Sequence, residues 1–298
     1  MVNQHNHPFF YKYMTAEAAI KVIETQSFRW SSPRLFNDPF DHQTGFSLSF
    51  SGKELAQALG KEMERISYNE MVYEPKVMDG LSIPLKIFAL SKNKPERAIY
   101  HQQLETAMAQ IEYSFEKEVE KLNSMLIDHI CHSRVFCVSE TNSNIAMWAY
   151  YSDNHNGAVF QLNCLEEIDN PLLIAREVNY TDKILPFCSL EEYVRHLTNQ
   201  APLNYRNLVD QSIYTKHIHW AHEKEWRVTR PLLDESEGDG FMYLKEKPQV
   251  FGAIYLGCRI IDMNKELIQQ ALRIHLPDMP VYQAEISLNP FSLHFSKV

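Results

Sequence analysis

Strand-like runs at irregular separations constrain this chain most. Short segments rich in β-branched and aromatic residues fall at Phe9 to Tyr13, Phe28 to Ser31, Arg134 to Ser139, Gly157 to Leu162, Ile174 to Tyr180, Glu225 to Thr229, Ala253 to Leu256, Val281 to Ile286 and Ser292 to Phe295. The stretches between them share no common length and no helical period, so the regular strand–helix alternation of a doubly wound fold is missing. The pattern predicts an α+β protein with a central split or mixed sheet. Only 9 glycines occur in 298 residues, which argues against Gly-rich phosphate loops.

Helical periodicity is concentrated elsewhere. Thr15 stands where an N-cap belongs, ahead of Ala18, Ala19, Val22 and Ile23 on one stripe ending near Thr25. Gly52 to about Asn69 reads as a polar-faced helix. From Pro95 to His132, apolar residues from Ile99 to Ile130 recur every three to five positions, as in one long helix or a helical pair. Helix is also expected over Leu190 to Asn199 and Tyr205 to Ala221, and a short helix or turn over Ala146 to Tyr151. The expected organisation is one domain over residues 1–298, with a helical insertion or lobe at about 52–132.

Charge and cysteine usage bound the setting. The formal net charge of −9 repels a nucleic-acid backbone, so generic DNA or RNA coating is not expected, and a basic protein partner would suit the sign. Five widely spaced cysteines, with no C-x-x-C, read as free thiols in a reducing compartment. No apolar leader follows Met1, and the longest apolar run is far short of the ~20 residues of a membrane helix. The expectation is a cytoplasmic protein, or one translocated without a classical signal peptide, with no membrane partner.

The densest chemistry lies between Lys216 and Arg227, which hold three histidines, two glutamates, three further cations and two tryptophans. If helix runs through His222, then His219, His222 and Glu223 share a face and could hold a metal. The blander account, histidines at a helix end, is favoured, and no metal is expected. If the stretch is extended instead, Glu223 and Glu225 point the same way. Such a pair could bind a sugar hydroxyl and stabilise an adjacent oxocarbenium-like cation. The competing account is a solvated Glu-Lys-Glu run. In Phe36-Asn37-Asp38-Pro39-Phe40-Asp41 the Asn-Asp-Pro turn is anchored by phenylalanines. There Asn37, Asp38 and Asp41 are expected to be structural, with Asp38 or Asp41 holding Arg227 or meeting a ligand. Trp148, Tyr150 and Tyr151 could wall a pocket for a flat ring or simply pack in a core. Cys137, inside its strand, reads as an inert thiol.

Taken in order, Tyr11-Lys12-Tyr13, Phe36 to Asp41, Ser139-Glu140, Met147-Trp148-x-x-Tyr151, Lys216-x3-Trp220-x2-Glu223-x-Glu225-Trp226-Arg227 and Ile254 to Arg259 resemble a bacterial family known only as domain of unknown function 2971. The resemblance runs through nearly the whole chain. A more distant resemblance is to the ADP-ribosyltransferase fold. It implies a transferase that uses NAD to modify a protein or nucleic-acid acceptor, in a toxin, defence or effector setting. It implies Glu225 as the residue steadying the ribosyl cation, Glu223 as orienting the acceptor and Ser139 as bracing Glu225. Tyr11, Lys12, Tyr13, Arg29, Arg34, Trp148 and Tyr151 would contact NAD, with Lys12 standing where that fold has Arg or His. Lys216, Trp220 and Arg227 would orient the site. A phosphodiester-cleaving or nucleotide-processing enzyme, built on His219, His222 and Glu223, and a non-catalytic interaction module are the alternatives.

Overall fold

In the computed structural model, residues 3–42, 45–184, 186–232 and 240–298 are described. The helices are α1 (Ala16–Thr25), α2 (Gly52–Ser67), α3 (Ser82–Leu90), α4 (Arg97–Cys131), α5 (Ile145–Tyr151), α6 (Leu190–Leu197), α7 (Tyr205–Tyr214) and α8 (Asp262–His275). The strands are β1 (Phe9–Met14), β2 (Ser27–Ser31), β3 (Ser133–Ser139), β4 (Ala158–Asn163), β5 (Arg176–Glu177), β6 (Asn179–Thr181), β7 (Thr215–His217), β8 (Glu225–Pro231), β9 (Phe241–Lys245), β10 (Phe251–Leu256), β11 (Val281–Leu288) and β12 (Phe291–Lys297). Two compact units result: residues 1–43, 130–182 and 214–298 form the first, and residues 44–129 and 183–213 the second.

The first unit holds every one of these strands. Its large sheet runs β12-β11-β10-β4-β1-β3-β2-β9, with β8 paired to β3 and β5 to β8. Pairing is antiparallel except between β10 and β11, so the sheet is mixed and the protein α+β. Strand β3 is laddered to β8 over seven register pairs but meets β1 only at Tyr11↔Ser139 and β2 only at Ser31↔Val135. Between those two bridges the β3 edge needs another donor. Lys12 supplies it, its Nζ donating to the Cys137 carbonyl at 2.6 Å and lying over the Phe136 ring. Burial lowers the Lys12 pKa, against the pull of nearby carboxylates.

One face of this sheet is covered by α1 and α8, which pack on each other. Their residues Ala19, Ile23, Ile268 and Leu272 join Phe10, Phe28, Trp30, Phe136, Phe160 and Ile254 in the largest core. Thr15 caps α1 through a bond from the Ala18 amide, and Gln26 ends it in the left-handed conformation that closes many helices. The opposite face carries Tyr11, Tyr13, Val159 and Tyr255 against Met147 and Trp148 of α5.

The second unit is helical. Phe50, Leu55, Leu59, Met63 and Ile66, from α2 and the residue before its cap, meet Phe115 of α4, Leu85 of α3 and Val194 of α6 in a separate core. Ser51 and Glu54 close a capping box at the start of α2, and Ser189 and Glu192 do the same for α6. The apolar stripe between Pro95 and His132 forms one 35-residue helix rather than a pair. None of the described helices is long and apolar enough to cross a membrane.

Two expected elements break up. The run Ile174 to Tyr180 divides into a 3-10 turn, β5 and β6, because its halves pair with different strands: β5 with β8, and β6 with β7. The helix expected from Tyr205 to Ala221 stops at Tyr214. Thr215 to His217 instead pair parallel with β6, and the His217 ring accepts the His219 amide to begin a 3-10 turn, Ile218–Glu223. Three elements, α3, β9 and α8, fall outside the segments that periodicity singled out.

Candidate functional site

Ending α7 early places Lys216 on a strand rather than a helix, and the rest of the site follows from that. The 3-10 turn ends at Glu223, Lys224 takes a left-handed conformation (φ 46°), and β8 begins at Glu225. The two glutamates therefore converge through a reversal at Lys224, not through simple alternation along an extended segment. Their carboxylates meet on one ammonium, with Lys216 Nζ 2.5 Å from Glu223 Oε2 and 3.0 Å from Glu225 Oε2.

Arg227, two residues along β8 and so on the same face, has no accessible surface at all. Its Nε and Nη2 donate to the two oxygens of Glu225 at 2.8 and 2.9 Å. Its Nη1 and Nη2 donate to the two oxygens of Asp41 at 2.9 and 2.6 Å. Of the two aspartates in the Asn-Asp-Pro turn, Asp41 holds the arginine. His42, buried beside it, shares a 2.6 Å bond with Asp41. Three carboxylates (Asp41, Glu223, Glu225) thus face two cations (Lys216, Arg227), all five at most 7% exposed.

The titration of these groups reflects that arrangement. Burial by itself would raise the Glu225 carboxyl, but the Arg227 guanidinium and Lys216 ammonium pull it well below the usual carboxylate range. Asp41 is lowered likewise, with Arg227 and His42 outweighing burial. Lys216 is raised because Glu225 and Glu223 overcome its desolvation. Burial and then Arg227 depress His42, so its ring is neutral near pH 7. These five groups sum to one negative formal charge, and the buried Lys12 ammonium lies near enough to Glu225 and Glu223 for them to oppose its desolvation.

Tyrosines border the cluster. Tyr151 Oη, at the end of α5, donates to Glu223 Oε1 at 2.6 Å, and the Asn37 side chain bonds Tyr151. Tyr180 Oη accepts the Glu225 amide at 2.8 Å. Burial raises both phenols. Ser139 is register-paired with Glu225 but donates to the Glu223 carbonyl at 2.6 Å, so it holds the main chain at the reversal rather than the Glu225 side chain. Cys137 lies beside Glu225, its thiol pushed far up by burial, which leaves it un-ionised.

Several residues expected at an NAD site stand elsewhere. Strand alternation divides Tyr11-Lys12-Tyr13: the tyrosines enter the aromatic cluster with Tyr255 and Trp148, while Lys12 turns to the other face. Trp148 has no accessible surface, and its Nε1 donates to the Asn142 carbonyl at 2.6 Å, so it anchors α5 and has no ring face to offer a ligand. Arg29 is exposed on β2 with its guanidinium over the Phe241 ring, and Arg34 is exposed in the turn Pro33–Leu35. The metal alternative needed His219, His222 and Glu223 on one α-helical face. The turn is 3-10, His222 Nδ1 lies 3.0 Å from the His219 carbonyl, and Glu223 turns to Lys216. Among the described residues no group of three His, Cys, Asp or Glu side chains is placed to hold a metal ion. His42 and Tyr180 were not singled out from the sequence. His42 directly follows the Asp-Pro-Phe-Asp turn, the one local signal for it, and Tyr180 reaches the site only through the β6–β7 pairing.

Beside this cluster lies an open cleft of about 430 Å³ lined by Asp38, Pro39, Phe40, His217, His219 and Trp220. Lys216 Nζ sits over the Trp220 ring at 5.0 Å, linking cleft to cluster.

Structurally, then, the site is a buried carboxylate–cation cluster on a mixed sheet. Residues 147–228 match the family described as protein of unknown function (DUF2971). The match takes in Trp148, Tyr151, Lys216, Trp220, Glu223, Glu225 and Arg227. It leaves out the Tyr11 to Tyr13 and Phe36 to Asp41 motifs, so it is shorter than the resemblance read along the chain. No curated protein and no solved structure matches the sequence.

Proposed function

We propose that the chain is an ADP-ribosyltransferase-like enzyme that takes NAD as substrate and transfers ADP-ribose to a protein or nucleic-acid acceptor. The observation that carries this reading is the convergence of Glu223 and Glu225 on Lys216 inside a buried cluster of three carboxylates and two cations. Preorganised carboxylates in a dry site stabilise developing positive charge far more than water does. In this reaction the bond from ribose C1′ to the nicotinamide nitrogen breaks, its electron pair leaves with nicotinamide, and the ribosyl cation is captured by the acceptor nucleophile, whose proton is released. The single-register junction between β1 and β3 is a further feature in keeping with a split sheet.

The two glutamates take different parts. Arg227 and Lys216 occupy both oxygens of Glu225, so its contribution is charge. Glu223 Oε1 accepts only from Tyr151 among the described residues and keeps a lone pair for a ribose hydroxyl. Tyr151 is thereby placed to position Glu223.

The test is nicotinamide release from NAD by the purified protein, with cell lysate as the acceptor source, beside Glu223→Gln and Tyr151→Phe. Release by wild type that falls at least tenfold in Glu223→Gln is expected, with Tyr151→Phe intermediate. Because Glu225 is held ionised, its titration should impose no acidic limb on the rate down through pH 5. No release from folded wild-type protein with lysate present overturns the reading.

A further inference from the structure

We infer that the cleft lined by Asp38, Phe40 and Trp220 binds a flat, delocalised organic cation. Asp38 carries the argument. It is 5% exposed, and its Oδ1 accepts the Phe40 amide at 2.9 Å. Its Oδ2 is buried and, among the described residues, has no hydrogen-bond partner. A buried carboxylate oxygen without a donor is costly, and a ligand that brings one recovers that free energy. Asp41 on the same turn is the contrast, since Arg227 takes both of its oxygens. One turn therefore commits one carboxylate to the fold and leaves the other short of a donor on a residue that lines a cleft.

The walls narrow the class of ligand. Trp220, Phe40 and Pro39 line it with flat apolar groups, and Phe40 is 68% exposed. An aromatic face attracts a cation, and a planar, weakly hydrated one leaves water for such a wall more readily than a compact ammonium does. Lys216 would repel a second cation at Trp220, but Glu223, Glu225 and Asp41 lie 2.5, 3.0 and 3.8 Å from its Nζ and answer its charge. The volume accommodates either a guanidinium on an arginine side chain or the pyridinium ring of a nicotinamide nucleotide. This inference stands on Asp38 and the cleft, and it does not require that the cluster transfer ADP-ribose.

Isothermal titration of the full chain distinguishes the two sources and tests the site. The probes are N-acetyl-arginine amide and 1-methylnicotinamide, with N-acetyl-citrulline amide and nicotinamide as their neutral counterparts. The variant is Asp38→Asn, which keeps an oxygen to accept the Phe40 amide; a thermal melt checks that it folds. Phe40→Ala, at an exposed position, is the second variant. Saturable binding of one or both cations is expected, weakened at least tenfold in Asp38→Asn, reduced in Phe40→Ala and absent for the neutral probes. Binding of the arginine derivative alone assigns a basic peptide; binding of the pyridinium alone assigns a nucleotide. The inference is overturned if folded wild-type protein binds neither cation at millimolar concentration. It is equally overturned if the neutral probes bind as well, or if Asp38→Asn leaves binding unchanged. Nicotinamide release is read separately, so either conclusion can fail without the other.

Discussion

Replacing Arg227 with methionine removes the side chain that two buried carboxylates share. Four hydrogen bonds of 2.6 to 2.9 Å that Arg227 donates disappear, two to Glu225 and two to Asp41, at a position with no accessible surface. Deleting one partner of a buried ion pair typically costs about 3–5 kcal/mol, because the survivor is left charged and desolvated. Two survivors would push the loss to the upper end, but Lys216 stays 3.0 Å from Glu225 and 3.8 Å from Asp41. The expected loss is about 4 kcal/mol at pH 7. Arg227→Lys keeps the charge but cannot bridge both carboxylates with a fork, and about half that loss is expected. The sign with pH follows from linkage. Asp41 and Glu225 have depressed pKa values in the folded wild type, so the stability they contribute is present above the unfolded carboxylate range and is lost as pH falls through their folded values. In the methionine variant that contribution is gone, so the gap between the proteins should be widest above about pH 5 and shrink toward pH 3. Urea unfolding followed by tryptophan fluorescence reads the correct unit, because Trp30, Trp148, Trp220 and Trp226 all lie in the first. A loss below about 1 kcal/mol, or one that does not change with pH, would show that packing rather than charge holds this region and would refute the reasoning.

Two further predictions address other parts of the first unit. Burial pushes the Glu246 carboxyl up to about 7. The folded state therefore binds this proton more tightly than the unfolded chain, and stability should fall as pH rises from about 4.5 to 7. Partial exposure limits the effect to about 1–2 kcal/mol, and Glu246→Gln should flatten the slope in thermal melts across that window. At Gly257 an added Cβ would fall 2.0 Å from the His155 carbonyl oxygen and 3.1 Å from that of Gly157, both main-chain atoms. Gly257→Ala should cost more than about 4 kcal/mol in the same urea assay, and a loss under about 1 kcal/mol would mean the two loops separate easily.

Much of the site was legible as composition and little of it as geometry. The density of charge from Lys216 to Arg227 marked the segment, but helical periodicity carried α7 too far, because nothing local in Thr215 to His217 opposes helix. Only the parallel pairing with β6 does. The convergence of Glu223 and Glu225 was anticipated from extended backbone, whereas it rests on a left-handed Lys224, which residue type alone does not announce. That Asp41 rather than Asp38 meets Arg227 was undecidable from the turn, since both flank the same proline and phenylalanine. Lys12 reads as an NAD contact because its neighbours resemble a motif; its work is to complete the hydrogen bonding of a strand edge that the sequence cannot show to be incomplete.

The sequence by itself determined the local elements. The Thr15 cap and apolar stripe of α1, the unbroken stripe of α4, and the β-branched runs of β3, β4, β8 and β10 all arise between residues a few positions apart, where capping and periodicity act. Tertiary structure alone decided the cluster. Asp41, Tyr151, Tyr180, Lys216 and Glu223 to Arg227 come from two turns, a helix end and three strands as much as 186 residues apart. Their charges are tolerable in a dry interior only because each is answered by another. That compensation exists only after the sheet has formed: Lys216 to Arg227 hold both cations and two of the carboxylates, but strand pairing is what brings them onto one another and onto Asp41.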